Sequence, residues 1–184
     1  MLSHGVPDWF GSMLFSRNLP WDDMSKSSLT DFLSVYTLHD SSVITLHVAL
    51  GHYAIAAINW DVGYERPILN PVLSNSDYAI LLIYFPNFYQ LHMGRDAVTF
   101  PFLIGEAKSI TLTDEQRLAL LNTEIQRQFH DDSTYEFLLE SPICISTFIS
   151  VENVRVEFTH GEAVYFVCLD KDMETHSIGG LTKR

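Results

Sequence analysis

Basic residues are scarce in this chain of 184 residues, which carries 11 Lys and Arg against 23 Asp and Glu and a formal net charge of −12. Binding to nucleic-acid phosphates needs an excess of Lys and Arg, so the balance argues against a broad nucleic-acid interface. It leaves open a basic partner, including a basic protein that itself binds nucleic acid. It equally leaves open that the acidity only keeps the protein soluble.

Cysteine is also scarce, and the sequence has no hydrophobic run long enough for a membrane span. Cys144 and Cys168 each lie in an apolar, strand-like run, which is typical of buried packing residues in a reducing compartment. Whether the two thiols are neighbours is left open. The longest apolar run covers residues 78–86, too short to cross a bilayer, and the N-terminus lacks the basic region of a signal peptide. We therefore expect a cytoplasmic protein with no membrane partner.

The common motifs of catalysis are missing. The sequence contains no GxSxG, GxGxxG or GxxxxGK[ST] segment, and its eight histidines show no HxxxH spacing. Two His-Asp pairs remain, His39-Asp40 and His130-Asp131, and metal-dependent phosphohydrolases also use adjacent His and Asp. Those enzymes hold their metals on helices, whereas the residues after Asp40 are strand-like, so a hydrogen-bonded turn is the favoured interpretation. We expect no catalytic residue, cofactor or metal, and keep a metal-dependent hydrolase as an alternative.

What the sequence does contain is a strong β pattern, centred on residues 36–61. A turn at residues 39–42 leads into two strands joined at residues 50–52. Period-2 alternation places Ile44, Leu46 and Val48 on one face of the first strand, with Val43, Thr45 and His47 on the other. Residues 78–85 are apolar on both faces and predict a central strand covered on two sides. Residues 143–151 form a further apolar run, and a hairpin is predicted around residues 159–162.

Two helices are predicted. A short one covers residues 28–35, and a long amphipathic one covers about residues 114–129, after a capping box formed by Thr113 and Gln116. The predicted fold is α+β: a mainly antiparallel sheet of about six to eight strands and a short N-terminal helix. The long helix is predicted to pack on the sheet through one apolar stripe, formed by Leu118, Leu121, Ile125 and Phe129. We expect one domain over residues 1–184, with a docking segment at 1–35, a core at 36–169 and a loose tail at 170–184.

The charges are unevenly distributed. Residues 27–65 and 128–153 contain no Lys or Arg, and if these stretches meet in space they create a negative face able to steer a basic partner. Tyr53, Trp60 and Tyr135 are candidate aromatic anchors for it. The candidate binding residues of this acidic face are Asp40, Asp61, Glu65, Asp131, Asp132, Glu136 and Glu140.

Leu38-His39-Asp40-Ser41, followed by Ile44-Thr45-Leu46, resembles the LHDS-type domain of a loose bacterial group. Many of its members are immunity proteins of polymorphic-toxin and contact-dependent inhibition systems. Residues 84–88, Tyr-Phe-Pro-Asn-Phe, resemble a later strand of such domains, so the resemblance covers about residues 36–93. It implies a small acidic protein that binds and blocks a cognate, often basic toxin such as a nuclease, and it carries over no catalytic residue. An oligomerising scaffold of unknown role is a further alternative, and the oligomeric state is open.

Overall fold

The structure is a computed structural model, and it describes residues 25–49, 52–63, 78–94, 100–120, 142–169 and 175–176. Within these residues the strands are β1 (Ser25–Ser28), β2 (Ser42–Ala49), β3 (Tyr53–Asp61), β4 (Tyr78–Phe85), β5 (Phe88–Met93), β6 (Phe102–Thr111), β7 (Ile143–Ser150), β8 (Arg155–Gly161), β9 (Ala163–Leu169) and β10 (Thr175–His176). The helices are α1 (Leu29–Val35) and α2 (Asp114–Leu120). Neither helix is long and apolar enough to cross a membrane.

The strands form one antiparallel sheet in the order β1-β9-β4-β3-β2-β6-β7-β8-β5, with β10 added beside β9. The predicted α+β class with a mainly antiparallel sheet is therefore confirmed. β2 and β6 share only two paired positions, Ser42 with Leu103 and Val43 with Phe102. This narrow junction divides the sheet into a first half, from β1 to β2, and a second half, from β6 to β5.

The chain itself crosses from one half of the sheet to the other at two places. β4 of the first half continues through Pro86 and Asn87 into β5 of the second, and β8 continues through Glu162 into β9. The two crossings are tied together, because the Gly161 amide donates to the Asn87 carbonyl over 2.7 Å. The halves consequently face each other, and Phe85 of β4 stacks on Phe158 of β8 with ring centroids 5.8 Å apart.

The main core lies between these halves and under α1. Phe32 of α1 is fully buried and stacks on Phe166 of β9 at 4.7 Å, with Trp60 of β3 5.6 Å away. The helix begins where predicted, since the Ser28 side chain accepts a hydrogen bond from the Asp31 amide as an N-cap. The short N-terminal helix is thus the helical cover of this core.

A second buried cluster occupies the opposite face of β3, β4 and β9. It contains Ile55, Leu82 and Val167, each fully buried. A row of rings crosses the same face, with centroids 6.0 Å apart between Tyr53 and Tyr84 and 5.9 Å apart between Tyr84 and Tyr165. Since Leu81 and Leu82 on the two faces of β4 are both buried, the predicted central strand covered on two sides is confirmed.

The predicted face assignment of the first strand is wrong at its start. Val43 is 3% exposed and belongs to the main core, whereas Ile44 is 42% exposed. The pairing of β2 with β3 shifts between Val43 and Thr45, which is a β-bulge. An extra residue at a bulge exchanges the two faces, so simple alternation holds only from Thr45 onward.

The predicted role of the long helix also needs correction. Its capping box is present: the Gln116 amide donates to Thr113 Oγ1 over 3.3 Å, and the Thr113 amide donates to Gln116 Oε1 over 3.0 Å. However, α2 as described spans Asp114–Leu120 and contains no buried residue, with Leu118 46% exposed, so this part does not cover the sheet. Residues 121–129 lie outside the described part. The strand count also exceeds the predicted six to eight, since ten strands are described, including the short β1 and β10.

Candidate binding site at the Asp40 end of the sheet

The turn before β2 is fixed against β6 by backbone hydrogen bonds. The Asp40 amide donates to the Ile104 carbonyl over 3.0 Å, and the Ile104 amide donates to the Ser41 carbonyl over 2.8 Å. Asp40 itself has φ of 63°, in the left-handed region that Asp tolerates better than most residues. The Asp40 side chain is therefore carried by a backbone that is held in place from both sides.

The same turn is also tied to the end of β3. Ser41 is 1% exposed, and its Oγ accepts a hydrogen bond from the Asp61 amide over 3.0 Å. Asp61 Oδ1 in turn accepts from the Gly63 amide over 2.9 Å. The structure thus places the backbones of Asp40 and Asp61 next to Ser41 at one end of the sheet. The two predicted acidic residues that lie within the described part are brought together.

His39 precedes Asp40 in the turn, and the two side chains are in contact. His39 Nδ1 is 3.0 Å from Asp40 Oδ2, and the two side chains are 54% and 41% exposed. A cleft of about 170 Å³ opens beside His39, lined among others by Tyr36, Thr37 and Glu106. Small-molecule sites usually measure about 300–1,000 Å³, so this cleft is sized for one side chain of a partner.

Glu106 is a candidate site residue that the sequence reasoning missed. It reaches the cleft because the bulge at Gly105 in β6 lies beside the turn, and it pairs with Lys108 over 2.8 Å. The available signal was the alternation of charged and small residues in residues 105–111, which is the pattern of a half-exposed strand. With Glu106 added, the cleft has an acidic side chain from β6 and is lined by His39, which contacts Asp40.

Several predicted residues cannot be placed at this site. Glu65, Asp131, Asp132, Glu136 and Glu140, and the possible anchor Tyr135, lie outside the described residues. Trp60 is not a surface anchor: it is fully buried, and its Nε1 donates to the Thr37 carbonyl over 2.8 Å. Tyr53 is partly buried beside His47, with Tyr53 Oη 3.2 Å from His47 Nε2.

The alternative of a metal site depends on both His-Asp pairs. His39 and Asp40 lie in an exposed turn, and His130 and Asp131 lie outside the described part. Among the residues that the structure describes, no group of three or more His, Cys, Asp or Glu side chains is arranged to hold a metal ion. Cys144 and Cys168 are both buried and are not joined in a disulfide, and burial raises the pKa of the Cys144 thiol.

A serine-histidine contact lies inside the second half of the sheet. Ser146 Oγ is 2.6 Å from His160 Nε2 and 2.8 Å from Ser109 Oγ. His160 Nδ1 lies 2.6 Å from the Gly161 carbonyl, which can only accept, so Nδ1 carries the proton of the neutral ring. This is the arrangement of a nucleophile and its base. Since Ser146 and His160 are both fully buried, no substrate reaches them here, and the contact satisfies polar groups within the core.

Comparison with known proteins adds no identification, since no family model, curated protein or solved structure matches this chain.

Proposed function

We propose that this protein is a non-catalytic, immunity-type inhibitor, which binds a cognate basic toxin through the acidic end of the sheet around Asp40 and Asp61. The observation that carries the proposal is that Asp40 lies in a turn held by β3 and β6, with Asp61 at the end of β3 hydrogen-bonded to Ser41 of the same turn. A cytoplasmic location is part of the proposal and rests on the sequence. The LHDS resemblance of the same turn supports it.

A fixed turn suits recognition because little freedom is lost when a partner binds. The backbone of Asp40 and Ser41 is already hydrogen-bonded to Ile104, and the Asp61 carboxylate is hydrogen-bonded to its own loop. Preorganisation of this kind lowers the ordering cost of association. The net charge of −12 would add long-range attraction for a basic protein, which acts mainly on the association rate.

The test is co-expression with the protein encoded by the adjacent upstream reading frame. We expect that protein to arrest growth alone and to be neutralised by, and to copurify with, the wild-type chain. The Asp40→Asn/Asp61→Asn double variant should weaken protection and slow association about tenfold. Asn keeps the left-handed turn accessible and retains an oxygen for the Gly63 amide, so only the charges change.

The matched control is Glu115→Gln/Glu162→Gln, which removes the same amount of charge at two other positions. Glu115 lies in α2, and Glu162 lies in the β8–β9 turn, at the end of β9 that is farther from Asp61. Equal loss of binding in both double variants would show that net charge, and not this site, is responsible. A neighbouring protein that is neither toxic nor bound would contradict the proposed function itself.

The contact of His39 with Asp40 favours a second candidate, the metal-dependent hydrolase. A carboxylate that accepts from one imidazole nitrogen can orient the other nitrogen toward a metal. Metal analysis of the purified chain and of His39→Ala separates the two ideas. Stoichiometric metal that is lost in the variant would favour the hydrolase, and metal-free protein that still binds its partner would favour the inhibitor.

A further inference from the structure

The outer face of the second half of the sheet carries two charged rows. Arg155, Ile149 and Glu106 lie side by side across β8, β7 and β6, because Ile149 is paired with both of the others. In the next row Thr147 is paired with Glu157 and with Lys108. Each row therefore has one charge on β8 and the opposite charge on β6, on the two sides of β7.

These residues point away from the main core. Their neighbours along the strands, Ala107, Phe148 and Val156, are paired with one another and pack in the core, so the charged rows occupy the other face. The side chains of Glu106 and Lys108 are 52% and 58% exposed. Ile110 on the same face of β6 is 54% exposed. The face thus combines exposed apolar area with ordered charge.

We propose that this face, defined by Glu106, Lys108, Ile149, Arg155 and Glu157, binds a second copy of the same chain in a two-fold symmetric dimer. A two-fold axis that runs along β7 between two facing copies places β6 of one copy over β8 of the other. Arg155 then faces the Glu106 of the second copy, and Lys108 faces its Glu157. All four pairs are of opposite charge, and Ile149 meets its own symmetry mate.

Within one copy, Glu106 and Lys108 pair with each other along β6 over 2.8 Å, and in the dimer each would also meet an opposite charge of β8 from the second copy. Arg155 and Glu106 are separated by β7, and two strand spacings amount to about 9.6 Å. Neither Arg155 nor Glu157 forms an ion pair with another residue of the described part. Sheets pack face to face about 10 Å apart, a gap that long charged side chains can bridge.

The dimer should be weak. Three to four strands and about five residues along each give a contact of roughly 300 Å² per copy, below the roughly 800 Å² per partner of a standard interface. We therefore expect self-association that is visible only at high protein concentration. It would fall with added salt, because the facing charges lie near solvent.

Sedimentation velocity over a concentration series, combined with two single-charge variants, tests the proposal. Arg155→Glu sets Glu against Glu106 of the other copy, and Glu106→Arg sets Arg against Arg155, so each variant alone should dimerise roughly tenfold or more weakly than wild type. An equal mixture of the two variants should associate again, because the heterodimer pairs opposite charges at both positions. Few other interfaces predict such mutual rescue.

Glu115→Arg on α2 is the control, since it changes an exposed charge away from this face and should leave the dimer unaltered. The pair Glu157→Lys and Lys108→Glu repeats the mixing test in the second row, should either first variant fail to fold by circular dichroism. A wild-type chain that stays monomeric throughout the series overturns the proposal. So does a dimer that the single variants leave intact, or variants that fail to rescue each other.

Discussion

His160 should make the stability of this protein sensitive to mild acid. Burial lowers the pKa of the His160 imidazole from 6.5 to about 4, partly opposed by its hydrogen bond to Gly161. Its surroundings are Ser146 on Nε2, the edge of Phe85 with ring centroids 4.7 Å apart, and Cys144 paired across on β7. None of these carries a negative charge that would favour the imidazolium.

The direction of the effect follows from which state binds the proton. Above pH 6.5 the histidine is neutral in both the folded and the unfolded chain, and its contribution to stability is fully present. As the pH falls from about 6.5 to about 4, His160 binds a proton in the unfolded chain but stays neutral in the folded chain. The free energy of unfolding therefore decreases over that pH range. The pKa difference corresponds to about 3 kcal/mol in total, of which about 2 kcal/mol is lost by pH 5.

The assay is urea unfolding at pH 7.5 and pH 5 for wild type and for His160→Gln, which cannot titrate. Other groups contribute equally to both proteins, so the wild type should lose about 2 kcal/mol more between the two pH values. An equal loss in both proteins would refute the reasoning. If the variant does not fold, a titration of the His160 ring followed by NMR decides, and a midpoint near 6.5 in the folded protein would refute it equally.

Three further predictions concern the core and the turn. Phe32→Ala should cost about 3–5 kcal/mol in urea unfolding, since the ring is fully buried against Phe166, and a loss under 1 kcal/mol would contradict that packing. Asp40→Val should cost about 1–3 kcal/mol more than Asp40→Gly, because φ of 63° strains a branched side chain, and equal stabilities would contradict this turn geometry. Ultraviolet titration should assign to Tyr84 a phenol that ionises only near pH 12, since burial and then the nearby Tyr53 and Tyr165 raise its pKa, and a Tyr84→Phe difference spectrum centred near pH 10 would contradict this.

Elements with strong local patterns could be predicted from the sequence. The doubly apolar run of β4, the β8–β9 hairpin and the N-cap of α1 each depend on residues close together in the chain. The second part of β6 had only a weaker signal, the alternation of charged and small residues in residues 105–111. Its inward residues Ser109 and Thr111 are small and polar, since they meet Ser146 and Cys144 within a hydrogen-bonded part of the sheet. Apolar alternation therefore fails to indicate a strand there.

The candidate site depends on register and on strand order, which local patterns do not determine. The pairing of Ala49 with Tyr53, continued without interruption, would place Ser42 opposite Trp60. The bulge near Val43 pairs Ser42 with Asn59 instead, and this sets the geometry of Ser41 beside Asp61. Glu106 reaches the site only because β6 pairs with β2 across a long stretch of chain. The sequence could identify acidic residues such as Asp40 and Asp61, but it could not show that they lie near each other in the fold.

The position of β9 has a consequence for how the sheet is completed during synthesis. β9 lies between β1 and β4, so the first half of the sheet cannot close until residue 169 has left the ribosome. Pairings between residues so far apart in the chain are slow to form, because the intervening loop must first be ordered. The turn at Asp40 needs only β3 and β6 for its hydrogen bonds, whereas the free edge of β4 must wait for β9. A nascent chain would therefore expose the unpaired edge of the apolar strand β4 until β9 is made.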